Sequence, residues 1–215
     1  FANAWHQFVF THQKDDELPA TFAATSRVYG TLFMVLIVGF SFVMPELLLI
    51  ATTSEFIGGY RLVPILCIGP LVQGWVLFAY DGIHLAQRTR IIPIILVSGM
   101  VTNLVLNTLL IPEYGMMGAA WATALSMLLI GFWAHCVSVR AFPVAYPTVQ
   151  LGKVAGAAVS VLAIFLLVDP ENVWASRGLR FALFLGFSVT LWISGLFGRR
   201  EWDAVMDPIL PRLRR

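Results

Sequence analysis

Two side-chain amides one helical turn apart are the first residues of this sequence that suggest chemistry. Gly99, Asn103 and Asn107 follow an i, i+4, i+8 spacing, which sets both amides and a close-approach glycine on one face of a helix. An amide carried into hydrocarbon is costly unless it is paired. The face therefore reads either as hydrogen bonding between packed helices or as the lining of a hydrated cavity. Gly69, Gln73 and Tyr80 form a second set on or near one face, with Pro64 and Pro70 interrupting the helix ladder and inviting a kink. The same two readings apply there. Two carboxylates fall inside or at the edge of apolar runs: Glu46, directly after Pro45, and Asp81. Ionisable groups at membrane depth point to function, here ion coupling, although both lie close enough to a helix end to reach the interface in a structural role.

Other chemistries find little to stand on. His6, His12, His84 and His135 lack metal-ligand spacing, and His135 and Cys136, being adjacent, point to different faces, so neither a metal site nor a cofactor is expected. The sequence has no G-x-S-x-G, no phosphate-cradling loop and no paired acids on a loop large enough to present them, which argues against an enzyme. Cys67 and Cys136 sit in apolar runs and read as small buried hydrophobes.

The elements that must position these residues are membrane helices. The 215 residues are 59% hydrophobic and 12% charged, whereas soluble domains have about 45–50% and about 25%, so the expected solvent is lipid. A span needs about 20 mostly apolar residues. Six segments qualify: 28–51, 62–83, 91–111, 115–139, 151–168 and 179–198. The connections between them, 52–61, 84–90, 112–114, 140–150 and 169–178, are too short to hold a soluble catalytic domain. Small residues are frequent where helices would touch, in GMMGAAWATALS (115–126) and at the Gly152/Gly156 pair, and they permit either tight packing or sliding.

Charge placement gives an orientation. Lys14, Arg27, Arg88, Arg90, Arg140, Lys153, Arg199, Arg200, Arg212, Arg214 and Arg215 fall on one side, eleven in all, against three on the other, Arg61, Arg177 and Arg180. Basic loops resist translocation, so the start of the first span and the C-terminus are expected in the cytoplasm. The net charge of +2 is too small for a nucleic-acid partner. Residues 199–215 are basic, with Trp202, Val205, Met206 and Ile209 spaced for one apolar face, and suit either a short helix on the anionic leaflet or a solvated tail. The sequence opens at Phe1 with neither a methionine nor a signal-peptide pattern, so an N-terminal portion is expected to be missing.

At residues 103–126 the pattern becomes specific. NLVLNTLLIPEYGMMGAAWATALS resembles the span–turn–span signature of the polysaccharide and O-antigen flippases in the multidrug/oligosaccharidyl-lipid/polysaccharide exporter superfamily. Upstream, AWHQFVF and KDDELPATFAATSRVYG resemble the segment leaving the seventh helix of that family, and LVQGWVLFAYDGIHLAQRTR its ninth helix and basic turn. The similarity covers residues 1–135, while the last two spans match in hydropathy alone. Pro112 is expected to end one span, and the connection at 112–114 to force an antiparallel hairpin, with Gly115 and Gly118 starting the next span against its neighbour.

The resemblance implies an all-α membrane protein of the bacterial inner membrane, its six helices forming one lobe of a two-lobe flippase. Residues 1–27 would be the end of a preceding helix and a cytoplasmic loop, 28–198 the six-helix lobe and 199–215 the tail. It implies transport of an undecaprenyl-pyrophosphate-linked oligosaccharide, with membrane lipids and a missing N-terminal lobe as partners. Gln73, Asn103 and Asn107, with Arg27, Arg88 and Arg90 at the cytoplasmic mouth, would line the path, and Glu46 and Asp81 would be coupling candidates. One departure is that basic residues able to neutralise pyrophosphate are absent from the span centres, leaving that task to the other lobe or to Arg27, Arg61 and Arg88 at the cleft mouths. A multidrug exporter or lipid II flippase would share this topology. A membrane glycan polymerase or acyltransferase would want a large loop or an intramembrane His-and-acid pair.

Overall fold

A computed structural model describes residues 2–15, 17–52, 54–142, 146, 148–168 and 173–193. Every regular element among them is helical: α1 (Ala2–Thr11), α2 (Leu18–Ala51), a 3-10 helix (Ser54–Leu62), α3 (Val63–Leu66), α4 (Ile68–Leu85), α5 (Ile91–Ala141), α6 (Thr148–Leu167) and α7 (Val173–Ile193). Among the described residues, four segments are long and apolar enough to cross a membrane: Leu18–Ala51, Gly58–Leu85, Ile91–Ala141 and Thr148–Leu167. Large apolar side chains such as Met100, Leu104, Leu109 and Phe132 stand exposed on them, as lipid-facing positions do.

Helix boundaries depart from expectation where proline chemistry was misjudged. Helix α2 begins ten residues before position 28, so residues 18–27 are helix where a loop was expected. Pro19 is tolerated in the first turn, where its missing N–H is no loss, and Leu18, Phe22 and Ser26 form a buried stripe that holds the extra turns. The expected loop 52–61 is largely 3-10 helix. At Cys67 the chain breaks between α3 and α4, because Pro70 cannot donate to the Leu66 carbonyl. Helix α7 starts before position 179, and residues 194–198 and the tail 199–215 lie outside the described residues.

The 51-residue α5 is two helices. Pro112 does not end the first arm; it sits inside the helix, and the chain turns at Gly115, with φ 55° and ψ −130°. A straight helix would hold Gly99 and Ile130 about 46 Å apart, yet a Cβ added at Gly99 would overlap the Ile130 side chain, and one at Gly118 would overlap the Leu110 carbonyl. The arms, 91–114 and 116–141, therefore run antiparallel against each other. Proline removes one hydrogen bond, whereas reversing direction needs a backbone conformation that glycine alone adopts readily.

The described residues form two compact units. In the first, made of Phe1–Ser26 and Ile65–Tyr146, α4 lays Val72, Val76, Ala79 and Ile83 onto Ile95, Ile130 and Ala134 of α5. A Cβ at Gly131 would come 2.6 Å from Val72 Cγ1, so α4 packs close to the second arm. Trp5 of α1 meets Phe22 and Phe78 edge-on at 5.0 and 5.2 Å. In the second, made of Arg27–Pro64 and Pro147–Arg215, α6 packs on α7, and Phe42 of α2 meets Phe165 of α6 edge-on at 5.1 Å.

The α4–α5 connection ends α4 with a paired cap. Arg88 N–H donates to Ile83 O (3.1 Å) and Gln87 N–H to His84 O (2.9 Å) around Gln87, whose φ is 56°. A non-glycine residue in this left-handed region costs about 1–2 kcal/mol. Gln87→Gly should accordingly raise the stability of the detergent-solubilised protein, and Gly115→Ala should lower it by about 1–3 kcal/mol. A Gly69→Ala control, with open space at its Cβ, should change little. Thermal unfolding of the three variants checks the set, and an unperturbed Gly115→Ala protein contradicts the turn described here.

Candidate functional site

Asp81 sits on the inner face of α4 and is fully buried. A lone carboxylate in that position would be expensive, and α1 supplies its partner: His6 Nδ1 lies 2.6 Å from Asp81 Oδ1. The pair holds one proton between nitrogen and oxygen. The His6 side chain is 37% exposed against 0% for Asp81, so the imidazole is the member that meets the surroundings. It lies on an open groove of about 620 Å³ along α1, with Asn3, Gln7 and Thr11. Trp5 and His84 also stand close enough to act on the carboxylate charge.

A second polar cluster adjoins this one. Trp75, His135 and Tyr146 have ring centroids 5.1–5.6 Å apart, and Tyr146 shares a 3.2 Å hydrogen bond with Ser138. Tyr146 follows α5 in the chain, and burial pushes its phenol up from the ordinary value, helped by the Asp81 charge and opposed by the Ser138 bond.

In the other unit Glu46 is bound by α7. Arg180 Nη1 donates to Oε1 at 2.9 Å and to Oε2 at 2.8 Å, and Arg177 Nε to Oε1 at 3.4 Å. Arg180 is held in turn by Ser176 Oγ at 2.9 Å and lies over the Phe165 ring at 5.4 Å. Glu46 and Asp81, read from the sequence as coupling candidates or as structural groups reaching the interface, are each held by a partner distant in sequence.

The path candidates occupy several places. Asn107 Nδ2 donates to Asn103 Oδ1 at 2.9 Å, both half-buried near the middle of the first α5 arm. This pairing within one helix satisfies part of each amide and leaves the remainder for a neighbour or water. Gln73 is exposed on α4, and Arg88 and Arg90 are exposed in the α4–α5 turn. Arg27 is half-buried on α2. Among the described residues, no group of three or more His, Cys, Asp or Glu is placed to hold a metal ion.

Sequence reasoning missed His6 and Arg180. Their signal was indirect: a carboxylate inside an apolar run demands a partner, and few cationic or imidazole side chains were available to provide one. No family, curated protein or solved structure matches the chain.

Removing His6 leaves the Asp81 carboxyl buried without its imidazole partner, at a cost of about 1–3 kcal/mol. His6→Leu and Asp81→Leu should each destabilise the protein, and the double variant should cost less than the two singles combined. Denaturation of the four proteins in a double-mutant cycle measures this coupling; strictly additive losses rule out the pair as an energetic unit.

Proposed function

We propose that this chain is a six-span lobe of a transporter that moves an undecaprenyl-pyrophosphate-linked oligosaccharide from the cytoplasmic to the periplasmic leaflet of a bacterial inner membrane. The observation that carries the reading is the reversal at Gly115. Residues 103–126, which resemble the flippase signature, fold as a helix, a glycine turn and a second helix. Each α5 arm measures about 36–39 Å, longer than the roughly 30 Å of hydrocarbon it would cross. In this reading the two arms, with α2, Gly58–Leu85 and α6, supply five spans, and α7, which is not among the four segments long and apolar enough to cross by themselves, is taken as the sixth.

In this reading the lobe works against a second lobe of the same protein. The sugar-pyrophosphate head crosses a polar cleft while the polyprenyl tail stays in lipid, and the lobes rock to alternate access. No bond is made or broken. Gln73, Asn103 and Asn107 meet the head group along the path, Asn103 lying about 18 Å from either end of its arm. Arg27, Arg88 and Arg90 meet pyrophosphate at the cytoplasmic mouth through the planar guanidinium fork. Asp81 with His6, and Glu46 with Arg180, are the coupling candidates. The eleven-to-three charge split sets the C-terminus in the cytoplasm.

Depleting the chain in its own cell should build up lipid-linked oligosaccharide on the cytoplasmic leaflet and strip polysaccharide from the surface. Unchanged surface polysaccharide without build-up overturns the proposal. Replacing both Asn103 and Asn107 with Leu should reduce export by roughly tenfold, the effect of losing about 1.4 kcal/mol of interaction, with folded yield preserved. An equal fall in folded yield assigns the amides to packing. For orientation, a cysteine at Ala86 should be protected from periplasmic thiol reagents and one at Ala175 labelled, in a background free of Cys67 and Cys136; the reverse pattern excludes the assigned topology.

A further inference from the structure

Two kinds of contact hold α1 to α4, and they respond differently to their surroundings. The first is apolar: Trp5 and Val9 are buried, and Trp5 stands edge-on to Phe78 of α4. Burial of this kind is indifferent to pH. The second is the meeting of His6 Nδ1 with Asp81 Oδ1, which sets a partly exposed imidazole of α1 against a fully buried carboxylate of α4. The open groove along α1 is lined by His6 and not by Asp81. A proton therefore exchanges with the carboxylate through the imidazole.

That proton decides the charge of the pair. With it, an imidazolium faces a carboxylate, or an imidazole faces a carboxylic acid, and either form is neutral overall. Its release to water in the groove leaves a neutral imidazole that still donates through Nδ1–H, and a carboxylate whose full charge is buried with no counter-cation, a costly arrangement. Besides His6, the titratable groups that act on this carboxylate are His84, three residues along α4, and Tyr146 beyond α5. His84 directs Nδ1 to the Tyr80 carbonyl at 2.7 Å, and its ring meets Phe10 of α1 edge-on at 6.3 Å. Tyr146 shares its hydroxyl with Ser138. Above the range in which imidazole titrates, neither supplies a positive charge. Helix α4 is fixed on its α5 side, where a Cβ at Gly82 would overlap Ser138 Oγ. The ten-residue α1 is the element free to give way.

We propose that the His6–Asp81 pair is a proton-operated latch for α1. With the proton bound, α1 lies on α4 and covers a neutral pair. When the proton leaves, α1 lifts, and the carboxylate reaches water through the groove it opens. Docking is thus strongest at low pH and is lost as pH rises through the imidazole range. The apolar contact of Trp5 opposes the movement equally at every pH and sets how far the equilibrium shifts. The latch belongs to the packing of its own unit and does not depend on the transport reading.

The test places nitroxide labels on the full chain in lipid nanodiscs through Gln7→Cys on α1 and Thr89→Cys in the α4–α5 turn, both exposed, in a background free of Cys67 and Cys136. Double electron–electron resonance reads their separation. At about pH 5 one short separation should dominate; towards about pH 9 a longer one should grow, bracketing the interval in which imidazole changes charge. The ratio of lifted to docked α1 should rise at least about tenfold overall and by no more than about tenfold per pH unit, the limit for one linked proton. Asp81→Asn, which keeps the carboxyl shape without a titrating charge, should hold α1 docked at both extremes. His84→Gln should leave the rise unchanged, and with the wild-type comparison it carries the test if Asp81→Asn fails to fold. A wild-type separation independent of pH overturns the proposal, as does a full response in Asp81→Asn. Loss of the response in His84→Gln also overturns it, by assigning the proton to His84.

Discussion

A peptide group in hydrocarbon has no water to bond with, so the chain must satisfy each N–H and C=O internally or confine the exceptions to places where protein covers them. This requirement explains why every regular element among the described residues is a helix and why the departures from helix are so localised. Pro45 and Pro112 are absorbed within α2 and α5, each at the loss of a single backbone bond. Pro70 coincides with the short break at Cys67. Hydroxyls return bonds to the helix backbone in the same environment: Ser41 to Ile37 and Ser126 to Ala122, both at 2.6 Å.

The same constraint governs side chains. Asp81 has His6, Glu46 has Arg180 and Arg177, and Asn103 has Asn107. These three solutions differ in reach. The asparagines pair within one helix, which secures their rotamers and binds no second element. The carboxylates bind elements far apart in sequence, so each couples packing to charge, and breaking either exposes an ion to a poor solvent. Partly exposed pairs of this kind are a modest source of net stability, and each ties two helices together within its own unit, α1 to α4 and α7 to α2.

How far the structure was legible in the sequence depends on how local the governing interaction is. Helical class, membrane character and the position of α6 followed from runs of apolar residues, a property of neighbours. The hairpin was legible because a glycine and a proline fall in a short interval between two apolar runs, although its turn was placed at Pro112, three residues early. The expected break treated proline as a terminator, whereas a mid-helix proline costs one bond and a kink. The early start of α2 escaped notice because residues 18–27 are mixed in polarity; what makes them helical is the burial of Leu18, Phe22 and Ser26 against other elements. The partners of Asp81 and Glu46, 75 and 134 residues away, could be demanded by charge but named only by the fold.

The hairpin also bears on the order in which the molecule comes together. The residues that meet beside its turn, Leu110 and Gly118, are near neighbours in the chain, and even Gly99 and Ile130 are linked by a short, stiff connection. Pairing this local closes quickly and at small entropic cost, so it can form as soon as the second arm leaves the ribosome, while α6 and α7 are still to be made. Helix α4, synthesised just before, then has a ready surface for Val72 and Val76. A flexible insertion beside Gly115 would lengthen that connection and raise the entropic cost of closing the hairpin even where the finished fold could accommodate it.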